Sequence, residues 1–567
     1  MQKNGFEMIK LLFNKNTFIF FIFASIFTQS AKPDDNQGKD NTRLIVFHID
    51  LNSVALKEDY IRKWLKNAAD MGYNAVLWEV EGKIKWSTCP ECVNPDAFSK
   101  EQFKKILSYS RSLGLEPIPL LQTIGHAEYV LRNKKYFSYR EDPSRYDCYA
   151  TCKPEVKIFL KKWINEYLDL FGEIKYFHLG GDEVYVFATS PECASKVKQI
   201  GEGKLYAEYI SDIAQHLIKK GIHPCIWDDM IMKYPNAISD IPKNFIIWVW
   251  NYWDNDATPK EVMLWNKGKK LSKKELTPED MKLFPEILDD TGNLRAFYNC
   301  DVLKRLGYNV VLSSSARWSG DGVFAVRQND NAANIIGAAK KVVEDNLLGT
   351  CVTSWAVRIP NYETQKILFY LAPLTIKNSK LNNNELISQS SENIFGISGS
   401  EIMDALNDIS FPITFADKQS TGIMWTGMKD SRAAPPGYIK NLINTWRNND
   451  EGKAWRENIQ IIKSAPGKIA KGLTELYKFI PKVNRGFNII EEWEKAGYFQ
   501  YWAAVTANDI IENDNRNSNK DTKNIVELLN SLRLDYNYWA KSWMTDNSAK
   551  QNTGLIYDAI INYFSNN

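Results

Sequence analysis

No sign of charge dominates this sequence of 567 residues: 71 Lys and Arg stand against 68 Asp and Glu, a net charge of +3. That balance gives no electrostatic basis for gripping nucleic acid, whose recognition needs a basic surface. Long apolar runs are also missing. The only candidate, residues 18–27, falls short of the roughly 20 residues that a membrane-spanning helix needs. No glycine-rich phosphate fingerprint follows the first β-like run, so a dinucleotide-binding sheet lacks its main sequence support. No internal repeat is found.

What is present is an ordinary globular composition, with 44% apolar and 25% charged residues. Aromatics are plentiful at 13%, including 18 Trp. Large cores account for most of them, while flat apolar faces also suit the C–H patches of pyranose rings. Lys3, Lys10 and Lys15 precede the apolar run, and small or polar residues follow it at Thr28, Ser30 and Ala31. That order predicts a secretory signal peptide over residues 1–31 and a polar linker over 32–42. The expected location is therefore secreted or periplasmic. No cysteine lies near the expected cleavage point, so a lipid-modified N-terminal cysteine is not indicated.

The 8 cysteines fit an oxidising compartment. Cys89 and Cys92 flank one tight turn, and Cys148 and Cys152 another. Loop disulfides are the expectation for these pairs, with free thiols or zinc as alternatives. Cys193, Cys225, Cys300 and Cys351 read as single, mostly buried positions.

From residue 43 onward, short β-like runs alternate with helix-period stretches. Strands are expected at 44–50, 75–80, 116–123, 176–179, 222–227, 245–250, 309–313 and 350–355. Helices are expected at 59–70, 99–113, 156–171, 204–220 and 331–345. This alternation predicts an α/β fold, a (β/α)8 TIM barrel over residues 43–378. After about residue 373 the β-like runs stop. Residues 379–567 are read as a mainly α-helical C-terminal domain, with helices at 438–448, 453–463, 468–479, 487–511 and 521–545.

Polar and reactive residues gather at the carboxyl ends of the expected strands: Asp50, Glu79 and Glu81, Gln122 to His126, Asp182 and Glu183, Trp227 to Asp229, Tyr252 and Asp254, Arg317 and Trp318, and Trp355. A barrel would bring all of these ends around one mouth, where the active sites of this fold lie. The most informative stretch runs Tyr176-Phe-His-Leu-Gly-Gly-Asp-Glu-Val-Tyr185. The glycines free the backbone from strict strand alternation, so Asp182 and Glu183 need not diverge.

His178-Leu-Gly-Gly-Asp182-Glu183 resembles the signature of glycoside hydrolase family 20, the β-N-acetylhexosaminidases. His48-Ile-Asp50, Glu116 to Leu131, Gly181 to Tyr185, and Trp227-Asp228-Asp229-Met230 are similar, in the same order, to segments of the hexosaminidase D branch. The resemblance covers roughly residues 43–373 and does not reach the C-terminal region. It implies an exo-acting retaining hydrolase that removes terminal β-linked N-acetylhexosamine, with the substrate's 2-acetamido oxygen as nucleophile. Asp182 would orient the acetamido group and stabilise an oxazolinium intermediate. Glu183 would protonate the leaving oxygen and then activate water.

The resemblance further implies that Trp227, Trp250 and Trp355 wall the acetamido group, and that Tyr252 and Asp254 match a Tyr-x-Asp segment after the sixth strand. Asp50, His126 and Asp229 complete the expected sugar-binding set, while His178 is expected to support the carboxylates rather than touch sugar. Two departures from the family pattern stand out. The first strand lacks an arginine, and Val357 replaces an acidic residue two positions beyond Trp355, so Arg358 or Glu363 is expected to compensate. The expected partner is a glycan ending in N-acetylhexosamine, with no nucleic acid and no metal or organic cofactor required. Two alternatives remain: an acetamido-assisted glycosidase using Asp228 and Asp229, and a glycan-binding barrel without turnover.

Overall fold

The computed structural model describes residues 43–52, 54–318, 321–355, 359, 361–411, 452–516 and 522–565. The expected signal peptide and linker, Val357, Arg358 and the expected helix at 438–448 lie outside the described residues.

Eight parallel strands close into a barrel. Their chain order is β1 (Leu44–Asp50), β2 (Ala75–Glu79), β3 (Glu116–Leu120), β4 (Tyr176–His178), β5 (His223–Trp227), β6 (Ile246–Trp250), β9 (Asn309–Arg317) and β10 (Gly349–Ser354). Closure comes from the pairing of β1 with both β2 and β10. A two-stranded antiparallel hairpin, β7 (Glu261–Leu264) and β8 (Lys269–Ser272), interrupts the alternation after β6. The sequence reading did not anticipate it, because its short Lys-containing strands carry no clear apolar period.

Side-chain alternation along each strand decides which residues point into the barrel. Val46, Leu77, Ile118, Cys225, Trp248, Val311 and Cys351 pack together as an inner cluster. Two residues further along their strands, the same phase sends His48, Glu79, Leu120, Trp227, Trp250, Ser313 and Thr353 inward. The outward phase packs against helices that include α1 (Glu58–Met71), α2 (Lys100–Ser112), α3 (Pro154–Phe171), α4 (Glu202–Lys219), α5 (Asn329–Glu344) and α6 (Lys366–Lys377). Ser99 caps α2 with a reciprocal capping box to Gln102, which fixes where the second crossover turns into helix.

The C-terminal region is helical: α7 (Asn383–Phe395), α8 (Glu401–Ile409), α9 (Gly452–Phe479), α10 (Phe487–Arg516), α11 (Thr522–Ala540) and α12 (Asp546–Ser565). Two separate helices were expected at 453–463 and 468–479, but α9 runs straight through Pro466. Ile462, Ala465, Ile469 and Leu476 are all fully buried and form one continuous stripe. Burying that stripe offsets the roughly 3 kcal/mol cost of an internal proline. Among the described residues, no helix is long and apolar enough to cross a membrane.

The cysteines pair differently from the expected pattern. Cys89 bonds Cys92, within the first turn. Cys152, however, bonds Cys193 rather than Cys148, with Cα atoms 5.3 Å apart. Cys148 is a buried free thiol, as are Cys225, Cys300 and Cys351. Folding brings the loop after β3 beside the loop after β4, a proximity that spacing along the chain cannot reveal.

Candidate active site

The loop after β4 carries the two carboxylates. Gly180 and Gly181 have φ of 68° and 95°, values that a residue with a Cβ avoids. A Cβ on Gly180 would also fall 2.0 Å from Gln122 Oε1, and one on Gly181 would fall 2.7 Å from the Tyr206 hydroxyl. The backbone therefore folds tightly against its neighbours and turns Asp182 and Glu183 toward a shared partner. His126 Nε2 lies 3.3 Å from Asp182 Oδ2 and 3.5 Å from Glu183 Oε2.

His126 and Glu183 are both held in the left-handed region, with φ of 50° and 46°. Strain of this kind in a non-glycine residue costs on the order of 1–3 kcal/mol and persists only where surroundings fix it. Asp229 supplies one such restraint: its Oδ2 accepts the Glu183 backbone N–H at 2.8 Å. The other oxygen of Asp229 accepts Trp250 Nε1–H at 3.2 Å. Burial, reinforced by Asp182 and Asp228, pushes the Asp229 carboxyl well above the usual range. Burial opposes charge on His126, but the Asp182 and Glu183 carboxylates outweigh it and raise its pKa well above the ordinary value.

Asp182 is nearly buried, and its Oδ1 has no hydrogen-bond partner among the described residues. Buried polar atoms are nearly always satisfied, so this atom is poised for a donor from outside. The Tyr252 hydroxyl lies within electrostatic reach of Asp182 and accepts Trp355 Nε1–H at 3.1 Å. Trp355 packs 6.0 Å from Trp227, and Trp250 packs 5.4 Å from Tyr252, centroid to centroid. Trp318, 5.8 Å from Tyr252, joins the same aromatic group. The resulting wall is apolar in its faces and polar at its edges.

Deeper in the barrel, Glu79 accepts Gln122 Nε2–H at 3.1 Å. Burial pushes its carboxyl up to about 7; Gln122 opposes that shift, Asp182 adds to it, and His126 works against it. His48 Nδ1 accepts the Ser354 N–H at 3.2 Å, and burial pulls the ring down to about 4. His178 is fully buried, and its Nδ1 accepts the Gly180 N–H at 3.1 Å. It therefore anchors the glycine turn, and its ring packs 4.4 Å from Trp227. Asp50, at the end of β1, accepts the Asn52 N–H at 2.7 Å and sits opposite Glu79 in register.

Three acidic residues are occupied in other ways. Asp228 accepts Asn299 Nδ2–H at 2.7 Å and the Trp250 N–H at 3.1 Å, tying β5 to β6; burial pushes it up to about 7. Asp254 accepts Asn251 Nδ2–H and the Phe297 N–H, at 2.8 and 3.0 Å. Glu363 is not brought to this cluster. It accepts the Tyr60 hydroxyl, Lys63 Nζ and Trp64 Nε1–H, all on α1. Tyr185, by contrast, was given no role, yet it is 65% exposed and its hydroxyl hydrogen-bonds Glu183. Glu79 was noticed as a strand end but also given no role. Its alternation with Leu77 was the signal that it points inward.

Residues 76–271 match the model of the glycosyl hydrolase family 20 catalytic domain. Over that segment the barrel is similar to a family 20 glycosyl hydrolase domain. The matched segment includes the β4 turn, His126 and the aromatic strand ends of β5 and β6. The chain is 28% identical to the lacto-N-biosidase of Bifidobacterium bifidum over 211 residues, which is 35% of this chain and 18% of that protein. It is 26% identical to the hexosaminidase D of Homo sapiens over 241 residues, 41% of this chain and 49% of that protein. The chain thus spans less than two thirds of the length of these relatives. Among solved structures, it resembles the Flavobacterium johnsoniae chitobiase at 14% identity and a TM-score of 0.43, over 92% of this chain and 78% of that one.

Proposed function

We propose that the protein is an exo-acting retaining β-N-acetylhexosaminidase that works by substrate-assisted catalysis. The observation that carries this reading is the meeting of Asp182 and Glu183 on His126 Nε2, at 3.3 and 3.5 Å, with Asp182 Oδ1 left unpartnered. Asp182 Oδ1 accepts the substrate's acetamido N–H and turns its carbonyl oxygen toward the anomeric carbon. Glu183, the more exposed of the two, donates a proton to the departing oxygen. The acetamido oxygen forms a bond to the anomeric carbon as the glycosidic bond breaks, giving an oxazolinium whose positive charge faces the Asp182 carboxylate. Water then adds to the anomeric carbon with Glu183 as base, so the β configuration is retained.

The aromatic group of Trp227, Trp250, Tyr252 and Trp355 supports the same reading, because it excludes water from the cyclised intermediate. The occupied carboxylates of Asp228 and Asp229 weigh against the alternative in which they do the chemistry. The named relatives, a lacto-N-biosidase and a hexosaminidase D, support a glycan substrate, and the second name points to a hexosamine unit. An export signal at residues 1–31 would place the reaction outside the cytoplasm. A thiazoline analogue of the cyclised intermediate tests the mechanism: strong competitive inhibition is expected, and weak inhibition comparable to that by the free sugar would overturn it.

A further inference from the structure

The family 20 match ends at residue 271, so the last two barrel strands and the helical C-terminal region lie outside it. Both of those strands lead into the aromatic group. Trp318 follows β9 and Trp355 follows β10. The two meet at Tyr252, through a 5.8 Å ring contact and a 3.1 Å hydrogen bond. What comes after each tryptophan is held from behind by α10.

The first attachment is polar. One oxygen of Glu492, on α10, accepts Asn361 Nδ2–H at 2.8 Å and Trp539 Nε1–H at 2.7 Å, and the other accepts Lys495 Nζ at 2.8 Å. Bonds to a charged group are strong, so three of them hold the carboxylate in one orientation. Asn361 is fully buried and carries the restraint toward the barrel. Its carbonyl accepts Gln365 Nε2–H at 3.0 Å, and Gln365 Oε1 accepts the Ser354 hydroxyl at 2.8 Å. Ser354 immediately precedes Trp355.

The second attachment is apolar. Phe324, beyond Trp318, is fully buried between Phe499 of α10 and Tyr536 of α11, at 5.5 and 5.8 Å centroid to centroid. A Cβ on Gly322 would fall 2.8 Å from Gln500 Nε2, so this segment lies close against α10. Buried Arg317 turns the same segment back on β9, donating to the carbonyls of Gly322 and Val323 at 3.1 and 3.3 Å. Trp539 joins the two attachments: its ring stacks on Phe499 at 5.2 Å while its indole N–H is held by Glu492.

We infer that α10 is a brace for the aromatic wall, and that Glu492 and Phe499 are positioning residues that set Trp355 and Trp318 against Tyr252. The inference rests on the functional reading above, which gives the wall a sugar to hold. Each residue acts through another, Glu492 through Asn361 and Phe499 through Phe324. Two chemically different attachments reach two different strands and converge on one tyrosine. A binding wall is only as precise as the groups that lock it, and a shift of about 1 Å is enough to loosen a site. Packing alone would act differently. Its loss lowers the folded fraction, and with it the apparent kcat, while a displaced wall weakens sugar binding and raises KM.

The test is steady-state kinetics of the full-length protein on an aryl β-N-acetylglucosaminide, with thermal melts to follow folding. Glu492→Ala should raise KM about tenfold and change kcat by less than about threefold. Glu492→Gln keeps an oxygen for Asn361 and should return KM to within about twofold of the wild type. Trp539→Phe removes one donor to Glu492 but leaves Asn361 its acceptor; it should lower the melting temperature and keep KM within about twofold. Phe324→Leu loosens the second attachment and should also raise KM, which supplies the readout where Glu492→Ala does not fold. A lower kcat at constant KM in Glu492→Ala and Phe324→Leu, or a KM rise in Trp539→Phe equal to that in Glu492→Ala, would overturn the brace while the functional reading stands. A wild-type protein that leaves the glycoside intact would instead overturn the functional reading, and the brace with it.

Discussion

Asp229 Oδ2 accepts the backbone N–H of Glu183 at 2.8 Å, joining the segment after β5 to the loop after β4 at a residue held in the left-handed region. A side chain just beyond one strand thus sets the direction of the proposed proton donor just beyond its neighbour. Asp229→Ala is expected to reduce stability by about 1–3 kcal/mol, since the Glu183 backbone N–H and the Trp250 Nε1–H both lose their acceptor. It should also lower kcat more than it raises KM, because it misaims Glu183 without removing sugar contacts. Thermal melts with steady-state kinetics on an aryl β-N-acetylglucosaminide check both. Unchanged kcat in a folded variant would show that the tether is not needed for positioning.

Glu183→Gln should lower kcat by about 10² to 10⁴-fold on a substrate whose leaving group needs protonation. The loss should shrink on a glycoside with a strongly acidic phenol, which departs without help. Asp182→Asn should lower kcat on both substrates alike. Leaving-group dependence measured across a series of aryl glycosides separates the two roles, and a reversed pattern would exchange them.

Glu79 gives the fold a pH dependence of definite sign. Its carboxyl is raised from 4.5 to about 7, so the folded state favours the protonated form. Its contribution to stability is complete below about pH 4.5 and is lost as the pH rises through about 7. Glu79→Gln should therefore flatten the decline in melting temperature between those limits. A variant whose melting temperature follows the wild-type curve across that window would remove Glu79 as the cause.

The Cys152–Cys193 bond clamps the loop after β3 to the loop after β4, and so braces His126 against Glu183. Cys193→Ser is expected to cost about 2–4 kcal/mol of stability, as for a typical native disulfide. Cys148→Ser should cost less, since Cys148 is a buried free thiol. Denaturant unfolding of both variants under oxidising conditions provides the comparison, and equal losses would contradict the pairing.

The barrel was legible because its strands are short, buried and separated by amphipathic helices, and because Gly180-Gly181 breaks the strand pattern just where two carboxylates follow. Trp227, Trp250, Tyr252 and Trp355 were also readable as strand ends. The rest depended on contacts distant in sequence. Nothing local distinguishes Glu363, held by α1, from a residue at the mouth. The disulfide partner of Cys152 lies 41 positions away. Pro466 reads locally as a helix break, and only the packed stripe from Ile462 to Leu476 overrides it. The place of α10 behind Asn361 and Phe324 carries no signal in either segment alone.

The most direct measurement of the central claim is hydrolysis of aryl β-glycosides of N-acetylglucosamine, N-acetylgalactosamine, glucose and galactose by the purified protein. Turnover confined to the two N-acetyl sugars is the predicted result. Comparable rates on glucose or galactose, which have no acetamido oxygen to act as nucleophile, would contradict it.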